Sequence, residues 1–123
     1  MSETAKTVLV VDDDPDMRLS LKLALDLAGY AASLAANGRE AIELQKQHPM
    51  DIVITDIFMP EADGFEIIDI LRRQFPRTKI VVMSGAGKLA KREYLSTAAM
   101  IGVHATVQKP FDVEALLDTL RSL

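Results

Sequence analysis

The chain has 123 residues, of which 49% are hydrophobic and 26% are charged, and it contains no cysteine. This length and composition fit one globular domain with its own core, and they exclude a disulfide framework and a thiolate metal site. The net charge of −4 offers no basic face for nucleic acid. There is no apolar signal region at the N-terminus and no apolar run near the ~18 residues of a membrane span. We therefore expect a cytoplasmic protein that contacts neither membranes nor nucleic acid directly.

Apolar runs alternate along the chain with segments of helical periodicity, which is typical of a parallel sheet with helices on both faces. Right-handed crossovers then give a flavodoxin-like, doubly wound α/β fold, with a five-stranded parallel sheet in the order 2-1-3-4-5 and five helices. In chain order, the predicted strands are residues 7–11, 31–35, 51–55, 79–83 and 103–107. The predicted helices are residues 15–28, 38–47, 64–74, 88–101 and 112–122.

Capping residues support these helix boundaries. A proline follows the first expected cap, and the second and third caps stand three residues before a glutamate, as in a capping box. Gly29 and Gly102 occupy positions where the end of a helix favours a left-handed residue. The expected N-caps are Asp14, Asn37, Asp63 and Asp112.

Four of the predicted strands lead into polar groups. Because the carboxyl ends of parallel strands meet at one edge of the sheet, these groups should lie together, with the ends of the first and third strands adjacent at the topological switch point. The groups are Asp12 and Asp13 after the first strand, Asp56 after the third, Ser84 after the fourth and Lys109 after the fifth.

The acidic part of this set suits Mg²⁺. Carboxylates within ~4–6 Å of one another repel, and a bound divalent cation relieves that repulsion. Mg²⁺ takes oxygen ligands, and three carboxylates, one lysine and one Mg²⁺ together carry no net formal charge. Such a site can accept a dianionic phosphoryl group, and a carboxylate can then act as the nucleophile to give an aspartyl phosphate.

In this order and spacing, the motifs resemble the receiver domain of bacterial two-component response regulators, in particular the single-domain regulators of the chemotaxis type. The resemblance makes residues 6–123 one receiver domain, preceded by a tail at residues 1–5. The matching pieces are Val10-Val11-Asp12-Asp13, Gly29-Tyr30, Asp56-x-x-Met59-Pro60, Asp63-Gly64, Met83-Ser84-Gly85, Gly102 and Lys109-Pro110-Phe111.

The resemblance implies a role for each residue of the set. Asp56 would accept the phosphoryl group, while Ser84 and Lys109 would contact it. The protein would then be a signalling phosphoacceptor, not an enzyme acting on a separate substrate. The implied magnesium ligands are Asp13, Asp56 and the backbone carbonyl of Phe58, with Asp12 acting mainly through water.

Thr106 departs from the family, which usually carries Tyr or Phe three residues before the lysine. In the usual switch the hydroxyl at the position of Ser84 moves toward the phosphoryl group, and the aromatic ring swings inward. Burying half of such a ring contributes roughly 2–3 kcal/mol, which threonine cannot supply. We therefore expect Ser84 and Thr106 to be switch positions in a domain that moves near residues 84–90 or whose two states differ little.

Three leucines, Leu19, Leu23 and Leu27, recur at i, i+4 and i+8 on the first predicted helix, away from its core stripe. By resemblance, this helix docks on the helical bundle of a histidine kinase or histidine phosphotransfer protein. Additional packing within the chain and a homodimer are the alternatives. The predicted helix at residues 88–101 belongs, by resemblance, to a surface that contacts a downstream protein target.

The residues leave other classes of protein open. A phosphatase of the haloacid-dehalogenase type also begins with Asp-x-Asp, but Asp16 stands where that motif wants Thr or Val. A flavin carrier would want tryptophan and a Ser/Thr-rich loop after the first strand. A phosphorylation-independent adaptor, a phosphate sink and a receiver excised from a larger regulator or hybrid kinase remain. His48 and His104 form no metal motif, and we interpret both as structural.

Overall fold

The structure, a computed structural model, describes residues 6–56, 64–84, 103–108 and 112–123. Within these ranges five parallel strands form one sheet in the order β2-β1-β3-β4-β5, which is the predicted order. The strands are β1 (Thr7–Val11), β2 (Ala31–Ala35), β3 (Ile52–Asp56), β4 (Lys79–Ser84) and β5 (Ala105–Gln108). The described helices are α1 (Pro15–Leu27), α2 (Gly38–Gln47), α3 (Gly64–Gln74) and α4 (Val113–Arg121).

Most element boundaries agree with prediction to within one residue, and the differences have local causes. β3 begins one residue late because Asp51 exchanges hydrogen bonds with Thr7, whose backbone and side chain both donate to its carboxylate. β5 begins two residues late, after the ring of His104 has bonded to β4. The helix predicted at residues 88–101 lies outside the described residues. None of the described helices is both long and apolar enough to cross a membrane.

Two of the expected N-caps form as predicted. The carboxylate of Asp14 accepts a hydrogen bond from the backbone N–H of Asp16 at 3.0 Å. The side chain of Asn37 accepts from the N–H of Glu40 at 2.9 Å, and the Glu40 carboxylate reaches back to the N–H of Ala36 at 2.8 Å. This is the reciprocal logic of a capping box, with the return bond made one residue earlier than usual.

The remaining cap predictions have mixed outcomes. Gly29 has a φ of 96°, the left-handed conformation expected after α1. Asp112 stands at the N-cap position of α4, but its side chain makes no capping hydrogen bond. The predicted role of Asp112 is therefore wrong, although the position is right. Asp63 and Gly102 lie outside the described residues.

The core has two layers, one on each face of the sheet. Side chains alternate along a strand, so Leu9 and Val11 face the layer that includes Ile67 and Leu71 of α3. Val8 and Val10 face the opposite layer, which α1 and α4 complete. Because β1 is buried on both faces, its run of four consecutive apolar residues is the pattern expected of a central parallel strand.

The ring of His104 connects the start of β5 to β4. Its Nδ1 accepts a hydrogen bond from the N–H of Ile80 at 3.0 Å, and its backbone N–H donates to the carbonyl of Ile80 at 2.9 Å. An accepting Nδ1 requires the neutral imidazole. Partial burial, and then the charge of Lys79, hold the pKa of His104 below its ordinary value of 6.5. The hydrogen bond and the lowered pKa of His104 both favour the neutral imidazole in the folded protein.

This geometry predicts a pH dependence of stability that the variant His104→Asn should lose. Below the ordinary pKa of 6.5 the unfolded chain binds a proton that the folded chain resists, so wild-type stability should fall as the pH drops through this range. Asparagine keeps an acceptor near the N–H of Ile80 but does not titrate. Urea unfolding of both proteins from about pH 7.5 to about pH 5 isolates this histidine, because the carboxylates contribute equally to both. Parallel curves would contradict the prediction.

Candidate functional site

The first acidic residues of the site follow β1 directly. Asp12 is fully buried, and its backbone N–H donates to the carbonyl of Ala35 at the end of β2, at 3.1 Å. Its Oδ1 accepts from the backbone N–H of Asp14 at 2.9 Å. Asp13, the next residue, is exposed. The turn between β1 and α1 therefore fixes Asp12 against the sheet and leaves Asp13 at the surface.

Asp56 is the last residue of β3, and it is only 7% exposed. The register pairs Val11 of β1 with Thr55 of β3, and Asp56 with Met83 of β4. Asp12 follows Val11 as Asp56 follows Thr55, so the two aspartates lie side by side at the carboxyl edge of the sheet. The predicted juxtaposition is thus a direct result of strand order and register.

One carboxylate oxygen from each of Asp12, Asp13 and Asp56 lies within 4.8 Å of the other two. Two ligands on opposite sides of a Mg²⁺ ion stand about 4.2 Å apart, twice the usual Mg–O distance. Only one pair of three ligands can be opposite, and adjacent oxygens stand about 3 Å apart. The carboxylates would therefore need to draw together by up to about 2 Å, or leave one position to a bridging water. Oxygen donors of this kind favour Mg²⁺ over softer metals, so the donor set fits the ion that the sequence suggested.

The other predicted site residues are located less fully. Ser84 ends β4, next to the strand that carries Asp56, and is level with Gln108 at the end of β5; its side chain is not described. Lys109 follows Gln108 in the chain but lies outside the described residues, as does Phe58. Thr106 is level with Val82, and only its backbone is described. The roles of these residues stay predictions.

The leucine row on α1 is exposed, as the sequence predicted. Leu19 is 53%, Leu23 55% and Leu27 89% exposed, whereas Leu21 and Leu25 on the opposite side of the same helix are buried. Two separate apolar faces on one helix exceed what packing on the sheet requires. Recognition of a partner by this row stays a prediction.

Arg18 contacts the site, and the sequence analysis did not predict this contact. Its Nη1 donates to the backbone carbonyl of Asp12 at 2.7 Å. The available signal was a cation in the first turn of a helix, where the positive end of the helix dipole disfavours it. An unfavourable charge at such a position suggests a compensating contact.

Comparison with known proteins assigns the chain to a family. The family model of the response regulator receiver domain matches residues 8–121. The chain therefore belongs to the response regulator receiver domain family of two-component signalling proteins. It is 38% identical to the chemotaxis protein CheY of Thermotoga maritima over 119 residues, covering 96% of this chain and 97% of that protein.

The same comparisons confirm the fold and reveal two kinds of relative. The structure of chemotaxis response regulator CheY4 of Vibrio cholerae matches with a TM-score of 0.84 and 32% identity, covering 97% of this chain and 98% of that one. The response regulator MprA of Mycolicibacterium vanbaalenii is 36% identical over 94% of this chain, which spans only 49% of that protein. A domain of this kind thus occurs both as nearly a whole protein and as half of a longer one.

Proposed function

We propose that the protein accepts a phosphoryl group on Asp56, with Mg²⁺, from the phosphohistidine of a histidine kinase or histidine phosphotransfer protein. The observation that carries the proposal is the meeting of Asp12, Asp13 and Asp56 within 4.8 Å at the carboxyl edge of the sheet. Membership of the receiver family supports it, and it also removes the reason to consider a haloacid-dehalogenase phosphatase or a flavin carrier.

In the proposed transfer, one aspartate acts as the nucleophile and its neighbours hold the metal. An oxygen of the Asp56 carboxylate attacks phosphorus, the bond from phosphorus to the donor's imidazole nitrogen breaks, and the electron pair of that bond stays on the imidazole. Asp13 and Asp56, with the backbone carbonyl of Phe58, would hold the metal, and Asp12 would act mainly through water. When bound, Mg²⁺ would offset the negative charge on the phosphoryl oxygens.

Ser84 and Lys109 complete the proposed site. The Ser84 hydroxyl would donate to one phosphoryl oxygen, and the Lys109 ammonium would pair with another. Phosphorylation would add charge and hydrogen-bond acceptors at one edge of the sheet, and would bias the loop after β4 between two arrangements. The output would be a changed affinity for a downstream protein, in the cytoplasm, with Leu19, Leu23 and Leu27 as the surface that meets the phosphodonor.

Incubation with acetyl phosphate and Mg²⁺, followed by intact mass measurement, tests the proposal. One added phosphoryl group is expected; it should disappear when a chelator replaces the metal, and peptide mapping should place it on the segment containing Asp56. A histidine phosphotransfer protein loaded with phosphate serves as a second donor. Failure with both donors, on protein that is folded by circular dichroism, would favour the phosphorylation-independent adaptor instead.

The rate at which the phosphoryl group is lost should depend on Phe58. In the family this position and that of Ala86 flank the approach of water, and both side chains are apolar here. Neither can orient an attacking water, so we expect slow autodephosphorylation and a several-fold faster loss in Phe58→Asn. This effect is smaller than the roughly 10²–10⁴-fold of a positioned general acid or base, because an amide can orient a water but does not take up its proton. Intact mass read over time after donor removal measures the decay. Phe58→Leu is the apolar control, and equal rates in the two variants would contradict the prediction.

A further inference from the structure

Arg18 makes two hydrogen bonds to the turn between β1 and α1. Its backbone N–H donates to the carbonyl of Asp14 at 3.0 Å, in the first hydrogen bond of the helix. Its guanidinium donates to the carbonyl of Asp12 at 2.7 Å. Side chains on a helix lean toward its N-terminus, so an arginine in the first turn reaches back over the preceding loop. One residue therefore holds both ends of the segment that carries Asp13.

The bond to Asp12 constrains more than a single atom. The carbonyl of Asp12 belongs to the peptide plane that joins Asp12 to Asp13, and a peptide plane is rigid. Fixing its oxygen fixes the direction in which the chain leaves Asp12, and with it the placement of the Asp13 backbone. The Asp12 side chain is held separately by the N–H of Asp14. The relative placement of the two carboxylates thus depends on a contact outside the acidic cluster.

We propose that Arg18 is a positioning residue, which holds the Asp12–Asp13 peptide so that both carboxylates face Asp56 in the geometry that binds Mg²⁺. This inference rests on the proposed function. It assigns Arg18 no contact with the metal or with the phosphoryl group. The cation would stand near the positive end of the α1 dipole because the carbonyl of Asp12 and the neighbouring acids offset that cost.

Two effects of removing Arg18 have opposite signs, which makes the proposal testable. A positive charge beside the acidic cluster repels Mg²⁺, so its loss would tighten binding if Arg18 acted only through charge. Loss of positioning would instead weaken binding, because contacts outside the ligand shell typically contribute 10–100-fold to metal affinity. We expect the second effect to dominate, with affinity for Mg²⁺ roughly tenfold lower in Arg18→Met.

Urea unfolding followed by circular dichroism, at increasing Mg²⁺, gives the affinity of each variant from the added stability. Lys22→Met is the matched control. Lys22 lies one turn further along α1 and also donates to a backbone carbonyl, that of Ala32, at 3.1 Å. Ala32 is level with Val8, four residues before Asp12, so this contact lies away from the cluster. The control should bind Mg²⁺ as the wild type does.

Arg18→Lys separates charge from geometry. It keeps the cation, but its nitrogen ends one atom short of the reach of Nη1, so binding should still be weaker than in the wild type. If Arg18→Met binds Mg²⁺ as tightly as the wild type or more tightly, the inference is overturned. If Arg18→Met does not fold, wild-type affinity for Mg²⁺ in Arg18→Lys would overturn the inference instead. A wild type that Mg²⁺ does not stabilise would overturn the proposed metal site as well. A wild type that binds Mg²⁺ and takes up phosphate while Arg18→Met binds equally well would overturn only the role of Arg18.

Discussion

Replacing Asp56 with asparagine should abolish phosphoryl incorporation from acetyl phosphate. Asparagine has nearly the same shape, and its amide is a poor nucleophile, so the change removes the attacking oxygen and leaves packing largely intact. Asp56 is also the only member of the acidic cluster that lies in the sheet, between β1 and β4. Loss of the added mass, down to the background of an unphosphorylated sample, is the expected measurement.

Asp16→Asn is the matched control for this variant. Asp16 lies in the first turn of α1, is exposed, and stands outside the group of three close carboxylates. The substitution makes the same chemical change beside the same edge of the sheet, so a general effect of lost negative charge would appear in both variants. Phosphoryl incorporation near the wild-type level in Asp56→Asn would mean that another residue is the phosphoacceptor. Loss in both variants would point to charge, not to a specific nucleophile.

The sequence could predict this edge of the sheet because two simple rules determine it. The uninterrupted apolar runs of β1 and β3 predict central parallel strands, and parallel strands bring their carboxyl ends together. The predicted strand order makes Asp12 and Asp56 neighbours, and the register of the preceding residues, Val11 and Thr55, places them level. Asp13 came with them as the next residue in the chain.

Other features could not be predicted, because they depend on where side chains reach. Asp112 has the residue type and position of an N-cap but makes no capping bond, while Asp14 makes one. The contact of Arg18 with the carbonyl of Asp12 requires the actual path of the turn. The late start of β5 follows from the ring of His104 taking the N–H of Ile80. The periodicity of apolar residues predicts helices and strands but indicates none of these side-chain contacts.

The identity of the partner could not be predicted from the sequence either, for a different reason. The chain resembles both a chemotaxis protein of its own length and a response regulator about twice as long, at 38% and 36% identity. Membership of the receiver family therefore does not distinguish one output from another. We expect differences in recognition at exposed positions such as Leu23 and Leu27, where packing places no constraint on the residue.

The variant Asp13→Asn should be more stable than the wild type without Mg²⁺ and less stable than the wild type when Mg²⁺ is bound. One carboxylate oxygen from each of three aspartates lies within 4.8 Å of the other two, and without a cation between them these groups repel one another. Removing the exposed one should relieve about 1 kcal/mol of repulsion in a water-like dielectric. That corresponds to a rise of about 3–5 °C in the unfolding temperature of a domain of this size. The same change removes a proposed magnesium ligand, so most of the stabilisation by Mg²⁺ should be lost.

The two effects together make the unfolding temperatures of wild type and Asp13→Asn cross as Mg²⁺ is added, which neither effect does alone. Asp14→Asn is the control, because asparagine is as good an N-cap as aspartate and Asp14 lies outside the group of three carboxylates. This control should keep the wild-type response to the metal. A parallel response in all three proteins would mean that Asp13 binds no ion. A crossing confined to Asp13→Asn would mean that the cluster is held in a repulsive arrangement that Mg²⁺ relieves, so that stability at this edge of the sheet is traded for the capacity to bind a phosphoryl group.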